Sequence, residues 1–528
     1  MSLLTTLARL EAAREGRAVP LATVRHRHLG ERPLVLVPLT TAGEAGAPLG
    51  ALVGTDRDAP RLLTVPQPRD RDLRWAFLAD LAEEVLPHLD SYADAVEPVE
   101  RNETDPATGT RTRVTAELCL DAPQLVVPSA AGIEYVRLLG RSMRFRRTAE
   151  QDPDTPYPAP ARVPLLGRWF THYAERSRTP GSSLLLSATG LLSRHWATGQ
   201  SGLEDQHLAA LLAWTDPRPD AGTGAEQALR AELDRDDRGL LRVPPAGPAT
   251  DPAFDNKLLA PAMARYDAAR VPGDRDPDPA AVAAAAAEVH ALVGTQLRPT
   301  WDAVWQALDL VRALPPGART ERRWTGDRWS YTGHRDRVRA GEPPQPRRDD
   351  AVSAARKLGS RETDQARLDA QEALDDPLVM AGRRLAGEAF VGEVTEVLPE
   401  WTDAPRPRPR PLITLVTEDL PRFDGPAKAY RGLDGSAQTA ELVSYEHTGP
   451  GDLGEVVLRL IDRMGRGREP EPGSVPEKGD RVCWTLFEHE PRTGPRLPEP
   501  DATPWTHGGP PGETAGEPTD PVTDEDLL

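Results

Sequence analysis

Proline is the residue that most restricts what this chain can become. It fixes its own φ, removes a backbone donor and disfavours helix in the residue before it. The 55 prolines and 43 glycines make up nearly a fifth of the 528 residues, and they cluster. Pro153, Pro156, Pro158, Pro160 and Pro164 gather at one point, and Pro315-Pro316-Gly317 closes another stretch. Beyond residue 491 the chain is rich in Pro, Gly and Thr and then acidic. Clusters of this kind end helices and strands, so the sequence predicts folded blocks joined by stiff irregular segments. A chain of this length also exceeds what one hydrophobic core supports, and two to four domains are expected.

The block 1–152 reads as a mixed α/β domain. A short helix is expected over 3–15, and apolar runs at 34–39, 49–53 and 62–65 predict a small antiparallel meander. Leu73, Phe77, Leu81 and Val85 recur at helical spacing within 73–92. Residues 101–112 look like an exposed loop or hairpin. Strands follow at 118–120 and 125–127, then a helix over 130–143 that ends in a basic run.

From 165 the texture becomes helical, and 165–315 is expected to be a separate all-α domain. Segments 165–177, 182–198 and 203–215 carry apolar stripes that include Trp169, Trp196 and Trp214. Asp278 and Pro279 suit the N-cap and first position of an alanine-rich helix over 279–293. Thr300 would cap a second helix over 301–314, the two forming an αα-hairpin. Residues 316–388 read as an arginine-rich loop followed by a charged helical connector. In 389–490, five alternating runs (390–397, 412–417, 440–447, 456–461 and 481–488) predict a small β-barrel or sandwich. Residues 491–528 are expected to form a disordered acidic tail. The fold class is therefore α+β, in several domains.

The chemistry is bounded mainly by exclusion. Only four of the 64 basic residues are lysines (Lys257, Lys357, Lys428 and Lys478), and none follows a glycine, which excludes a standard P-loop. There is no Gly-x-Ser-x-Gly elbow, no Gly-x-Gly-x-x-Gly turn after a strand and no His-Glu-x-x-His helix. The two cysteines, Cys119 and Cys483, form no Cys-x-x-Cys pair and suggest a reducing compartment. No cofactor is expected. With no leader-like apolar segment and no run of eighteen apolar residues, the expected location is the cytoplasm, with no membrane partner. The net charge of −18 argues against non-specific coating of DNA or anionic lipid.

Four local patterns merit weighing. His26-Arg27-His28 would place two imidazoles on one face of a strand, but no third ligand stands nearby, so no metal is expected there. Asp274, Asp276 and Asp278 alternate as calcium ligands can, but interleaved prolines favour an acidic linker and helix cap. Asp255-Asn256-Lys257 matches half of a restriction-type nuclease pattern, with Asp220, Asp234, Asp236 and Asp237 upstream as further carboxylates. The run Arg137, Arg141, Arg144, Arg146 and Arg147 around Phe145 reads as the basic end of a helix.

The strongest positive feature is 319–348, where nine arginines face four acids, a local +5. Arg319, Arg322, Arg323, Arg328, Arg335 and Arg337 alternate with Trp324, Trp329 and Tyr331. Guanidiniums pair with phosphates and exposed rings stack on unpaired bases, so these nine residues are the expected contacts for single-stranded DNA or RNA. The competing reading is a surface that packs against acidic neighbours with its rings buried. The tail 499–528 carries eight acids and no Lys or Arg. Its end, Asp524-Glu525-Asp526-Leu527-Leu528, resembles the acidic, apolar-capped tip of bacterial single-strand-binding proteins and is the expected partner-docking site.

Two wider resemblances follow from particular stretches. Phe390-Val391-Gly392-Glu393-Val394, Pro411-Leu412-Ile413-Thr414-Leu415 and Pro476-Glu477-Lys478-Gly479-Asp480-Arg481-Val482 resemble the accessory β-barrel of superfamily 1 helicases of the RNA-surveillance type, without the motor. The arginine-for-lysine bias, with Pro180-Gly181-Ser182-Ser183-Leu184-Leu185-Leu186, His195-Trp196-Ala197-Thr198-Gly199-Gln200-Ser201 and Gly341-Glu342-Pro343-Pro344-Gln345-Pro346-Arg347-Arg348, is similar to an uncharacterised actinobacterial family of helicase-associated proteins. That resemblance implies a helicase partner acting in trans and assigns no catalytic residue. The expected function is a non-catalytic nucleic-acid-binding accessory subunit working with a separate helicase or nuclease. The alternatives are a metal-dependent nuclease with scattered carboxylates and a protein–protein scaffold.

Overall fold

The computed structural model describes residues 3–104, 110–271, 276–346, 348–349, 351–423, 425, 427–433, 435–447 and 453–491. Arg347, Asp274 and the tail, including 524–528, lie outside the described residues. The chain is α+β and divides into two compact units. The larger holds Arg9–Pro20 and Arg25–Arg361, and the smaller holds the described parts of Met1–Ala8, Leu21–Val24 and Glu362–Pro495.

A five-stranded mixed sheet organises the larger unit. Its strands are β1 (Leu34–Thr40), β2 (Pro48–Gly54), β3 (Arg61–Thr64), β6 (Leu125–Val127) and β7 (Leu185–Ser187), in the spatial order β3-β2-β1-β6-β7. The hairpin of β4 (Val96–Thr104) and β5 (Arg111–Cys119) stands apart from it. The meander β1-β2-β3 is antiparallel as expected, while β6 and β7 add in parallel.

The sheet is buried on both faces. Leu34, Leu36, Val53, Leu125 and Val127 point to a core shared with helices α1 (Arg71–Asp90), α2 (Ala130–Met143) and α3 (Val163–Ser177). The alternate residues Val35, Val37, Leu39, Leu52 and Val126 meet α4 (Ala188–His195), α5 (Leu208–Thr215) and α6 (Pro279–Arg312). The result is a three-layer sandwich, and this overturns the expected boundary between 1–152 and 165–315. Strands covered on both sides read as continuous apolar runs, as Leu34-Val35-Leu36-Val37 does. Such a sheet cannot stand without the later helices. The stretch 153–162 is a loop within one unit, Pro164 opens α3, and 182–198 supplies an edge strand before its helix.

Two further expectations change. The predicted αα-hairpin is one 34-residue helix, α6, with Pro299 inside it and Thr300 in mid-helix. An interior proline costs about 3 kcal/mol, but Leu297, Trp301, Val304 and Leu308 are all buried on one face across that point. Burial of four such side chains outweighs the penalty. Asp278 caps α6 as expected, accepting from the Ala280 N–H at 3.0 Å. Among the described residues, α6 alone is long and apolar enough by composition to cross a membrane, and only 17% of its apolar window is buried.

The second change concerns 319–348, expected as a loop. Thr320–Arg339 is a 20-residue helix, α7. Its buried face is Thr320, Trp324, Asp327, Tyr331, Thr332, His334 and Arg335, a helical stripe mixed in polarity. Hydrophobic periodicity does not register a stripe of that kind.

The smaller unit carries helix α9 (Pro377–Leu385) and a closed six-stranded barrel; the charged helix α8 (Ala351–Asp375) precedes α9. The barrel strands are β8 (Ala389–Leu398), β9 (Leu412–Thr417), β10 (Lys428–Leu433), β11 (Ser436–Glu446), β12 (Gly454–Leu460) and β13 (Arg481–Thr485). They close in the order β8-β9-β12-β11-β10-β13 around Phe390, Ile413, Leu415, Val456, Leu458 and Trp484. Five strands were expected. The sixth, β10, turns Ala429 and Arg431 inward, and neither marks a strand by apolar alternation.

Candidate nucleic-acid interface

The arginine-rich helix α7 spends most of its charge internally. Trp324 is buried, donates its indole N–H to Asp121 Oδ1 at 2.8 Å and stacks on His28 at 4.1 Å. Tyr331 is buried and donates to the Leu89 carbonyl at 2.6 Å. Arg335, also buried, reaches the Ala93 carbonyl at 2.5 Å and Cys119 Sγ at 3.2 Å. Arg328 donates to the Cys119 carbonyl at 2.8 Å and pairs with Glu97. Arg323 donates to the His26 carbonyl at 3.0 Å. Trp329 is half-buried beneath Arg101, Arg319 is half-buried, and Arg322 and Arg337 are exposed.

The nominated nine therefore do not form one stacking surface. Fully buried Asp327 reinforces that reading: it accepts from Arg176 Nε at 2.8 Å, Ser182 Oγ at 2.9 Å and the Ser183 N–H at 2.6 Å. Beside it, His172 and His334 stack at 4.2 Å. Burial, with Arg337 and Arg176 adding to it, pushes His172 down to about 3. Burial, then His172 and Arg337, pushes His334 to about 2. Both rings are neutral core residues.

The other sequence patterns resolve as structure too. His26 is buried with its N–H directed to His195, whereas His28 lies against Trp324, so the two do not share a site. Asp255 accepts from the Ala42 N–H at 2.8 Å and Thr250 Oγ1 at 2.6 Å, while Lys257 donates to the Arg238 carbonyl at 2.5 Å. The carboxylate and ammonium of the nuclease half-pattern thus serve different neighbours. Among the described residues no group of three His, Cys, Asp or Glu is placed to hold a metal ion. In the basic run after α2, Arg144 is buried against the Gln345 carbonyl and Arg147 pairs with Asp152.

A different arginine cluster stands at one end of the barrel, where the β8–β9 and β12–β13 loops meet. The first loop is Glu400-Trp401-Thr402-Asp403-Ala404-Pro405-Arg406-Pro407-Arg408-Pro409-Arg410-Pro411. Its alternating prolines hold the backbone extended. A bridge between Trp401 and Pro409 closes it, with the Thr402 N–H on the Arg408 carbonyl at 2.9 Å and the Arg410 N–H on the Glu400 carbonyl at 2.6 Å. Arg406 and Arg408 are exposed and Arg410 is half-buried.

The second loop carries Arg463, Arg466 and Arg468, all exposed. Its anchors are inside the barrel. Arg431 donates to the Ser474 carbonyl at 2.7 Å, and Gln438 donates to the carbonyls of Ser474 at 2.8 Å and Asp462 at 3.1 Å. Asp462 Oδ1 accepts the Thr439 N–H at 2.7 Å, and Met464 is buried as a plug. Burial pushes the Arg431 guanidinium down from its ordinary value, with Asp480 opposing. The unexpected inward arginine of β10 thus fixes the loop that displays the outward ones.

Trp401 joins the two loops. Its indole N–H donates to the Arg468 carbonyl at 3.0 Å, yet the residue is 47% exposed. Across both loops and Arg459 there are seven arginines and Lys478 to seven carboxylates, so charge count alone does not distinguish this surface. Availability does. Glu400 is taken by Arg459 at 3.4 Å, and Asp462 by the backbone. Among the described residues, Arg406, Arg408, Arg410, Arg463, Arg466 and Arg468 enter no ion pair. Sequence reasoning missed all six, although the Arg-Pro alternation of the first loop was a readable signal: in extended chain, guanidiniums two residues apart recur at roughly 6 Å. Compared with known protein families, curated proteins and solved structures, the chain matches none.

Proposed function

We propose that the barrel end binds single-stranded nucleic acid and that the chain serves as a non-catalytic accessory subunit to a helicase or nuclease acting in trans, in the cytoplasm. The observation that carries this reading is the set of six exposed or half-exposed arginines, without ion pairs among the described residues, on the two loops that the exposed Trp401 joins. Guanidiniums answer phosphates, and a solvent-facing indole offers a surface for an unpaired base, which a duplex does not present. The resemblance of this barrel to helicase accessory barrels agrees with that role. The tip Asp524-Glu525-Asp526-Leu527-Leu528 is the corresponding proposal for where the partner docks.

Binding of a fluorescent oligonucleotide, titrated at several salt concentrations, tests it. Substituting Arg406, Arg408 and Arg410 by Ala together should reduce the slope of log K against log salt by about 0.7 for each phosphate no longer neutralised. Parent-like binding by a folded triple variant would show that the barrel end is not the contact surface.

A further inference from the structure

Among the described residues the hairpin of β4 and β5 pairs with no further strand, so each of its strands keeps one open edge. The register decides which residues turn their backbone to that edge. Val96 lies opposite Cys119, and Thr104 lies opposite Arg111. At the foot of the ladder the Leu120 N–H donates to the Ala95 carbonyl at 2.8 Å, which makes that pair a hydrogen-bonded one. Bonded and non-bonded pairs alternate along an antiparallel ladder. Val99–Ala116 and Arg101–Val114 are therefore bonded across the hairpin, while Pro98 and Glu100 on β4, and Arg111, Arg113, Thr115, Glu117 and Cys119 on β5, turn their backbone groups outward. Two details agree with this. Pro98, which has no N–H to give, holds an outward position. Cys119 spends its outward groups on α7, its N–H on Thr332 Oγ1 at 3.1 Å and its carbonyl on Arg328 Nε at 2.8 Å.

The two edges differ. Pro98 blunts that of β4. On β5 the outward N–H and carbonyl groups of Arg111, Arg113, Thr115 and Glu117 have no partner among the described residues. Their side chains share one face, and all four are exposed. The Glu117 side chain, 3.7 Å from Arg335, is 69% exposed, and Arg111 enters no ion pair among the described residues. Charges usually guard an open edge. Here their order runs basic, basic, neutral, acidic, and an antiparallel second copy reverses it. About a two-fold axis at Val114, Arg111 meets Glu117 of the second copy and Arg113 meets its Thr115. All four outward residues are then paired, and pairing ends where α7 takes Cys119. An axis at Arg113 or at Glu117 would oppose like charges, which is destabilising. An axis at Thr115 would set Arg111 against Cys119, whose backbone groups are already spent.

We propose that the open edge of β5 pairs with the same edge of a second copy of this chain, joining two hairpins into one four-stranded antiparallel sheet. Backbone hydrogen bonds supply the attraction, and the Arg111–Glu117 pairs select the register. An interface of this size, below about 1,200 Å² in total, belongs to weak and concentration-dependent association. The surface lies in the larger unit and does not depend on the reading of the barrel rim.

Sedimentation equilibrium of the full chain, at concentrations up to about 100 μM, tests it and should show monomer and dimer in exchange. Thr115→Pro removes an outward donor at an edge position that tolerates proline, and should weaken the dimer by about tenfold or more. Arg111→Glu sets acid against acid and should weaken it too. Adding Glu117→Arg to that variant exchanges the two charges and should restore association, a rescue that a merely misfolded variant would not show. In the register about Val114 the two Val114 Cα atoms would stand about 4.5 Å apart, within disulfide reach. Oxidised Val114→Cys should therefore run as a covalent dimer on a non-reducing gel where the parent does not. A chain that stays monomeric throughout the concentration range overturns the proposal. So does a dimer whose affinity is unchanged by both Thr115→Pro and Arg111→Glu, because the copies would then meet elsewhere.

Discussion

Helix α7 and the barrel rim are both arginine-rich, both contain tryptophan, and they use these residues in opposite ways. The segment 319–348 has the larger formal excess, +5, yet Arg323, Arg328 and Arg335 are bound to backbone carbonyls, a thiol or a carboxylate, and Trp324 and Tyr331 lie in the core. The rim has nearly balanced charge, yet six of its guanidiniums enter no ion pair among the described residues and Trp401 meets solvent. The difference lies in the backbone. A helix packed between a hairpin and α3 turns half its side chains inward whatever their polarity, so arginines there must find internal acceptors. A proline-braced loop at the end of a barrel packs through Pro409 and Trp401 and leaves Arg406 and Arg408 exposed. Arginine counts measure potential; only partners decide availability.

The hardest test of that contrast is Asp327. It is fully buried and receives Arg176, Ser182 and the Ser183 N–H. Asp327→Ala leaves a guanidinium and two donors stranded, a loss of about 3–5 kcal/mol. Urea denaturation should show it as a large drop in midpoint. A midpoint within experimental scatter of the parent would mean that α7 is loosely held and that its arginines are available after all.

The tryptophans divide the same way. Trp324→Ala removes a buried ring together with its stack on His28, at a cost on the order of 3–5 kcal/mol of stability. Trp401→Ala should leave stability almost unchanged and cost about 1–3 kcal/mol of oligonucleotide binding. Measuring both quantities on both variants separates the two roles. The contrast breaks if Trp401→Ala binds like the parent while Trp324→Ala, still folded, does not.

The core beneath α7 also sets an acid limit. His172 and His334 are pushed down to about 3 and about 2, while unfolded rings titrate near 6.5. Below pH 6.5 the unfolded chain takes up protons that the folded chain refuses, so stability falls as pH falls. Each ring contributes about 1.4 kcal/mol per pH unit until its folded value is reached. Between pH 6.5 and 5, His334→Phe should show a shallower loss of denaturation midpoint than the parent, by about one ring's share. Identical slopes would show that the pair protonates without unfolding.

Where the sequence was readable, local chemistry and tertiary demand agreed. The Asp278–Pro279 start of α6, the bounds of β6 and α2, and the alternation in β8, β9 and β12 follow from residues whose own preferences match their environment. It failed where environment overrode pattern. Arg431 points into a barrel because Gln438 and the Ser474 carbonyl receive it there, which no apolar alternation signals. α7 was hidden because its inward stripe includes Asp327 and Arg335, satisfied by segments distant in sequence, and His334, which stacks on His172. The domain boundary at 153–164 failed because the second face of the sheet is covered by helices that follow it. The candidate site inherited the same error: basic-plus-aromatic composition located one cluster in the chain and missed the other.

The smallest expected effect is the sharpest control. Arg322 and Arg337 are the two nominated arginines of α7 that the structure leaves exposed. Substituting both by Ala removes two positive charges from a chain of net −18 and so changes long-range electrostatics about as much as any two rim substitutions. If binding depended on overall charge, this pair and an Arg466→Ala, Arg468→Ala pair would weaken oligonucleotide affinity equally. If direct pairing with phosphates decides, the α7 pair should stay within about twofold of the parent and keep its salt slope. The rim pair should then flatten the slope by about 1.4, two phosphates at about 0.7 each. Equal weakening by the two pairs would return the interface to α7, or to charge alone, and end the distinction between the regions.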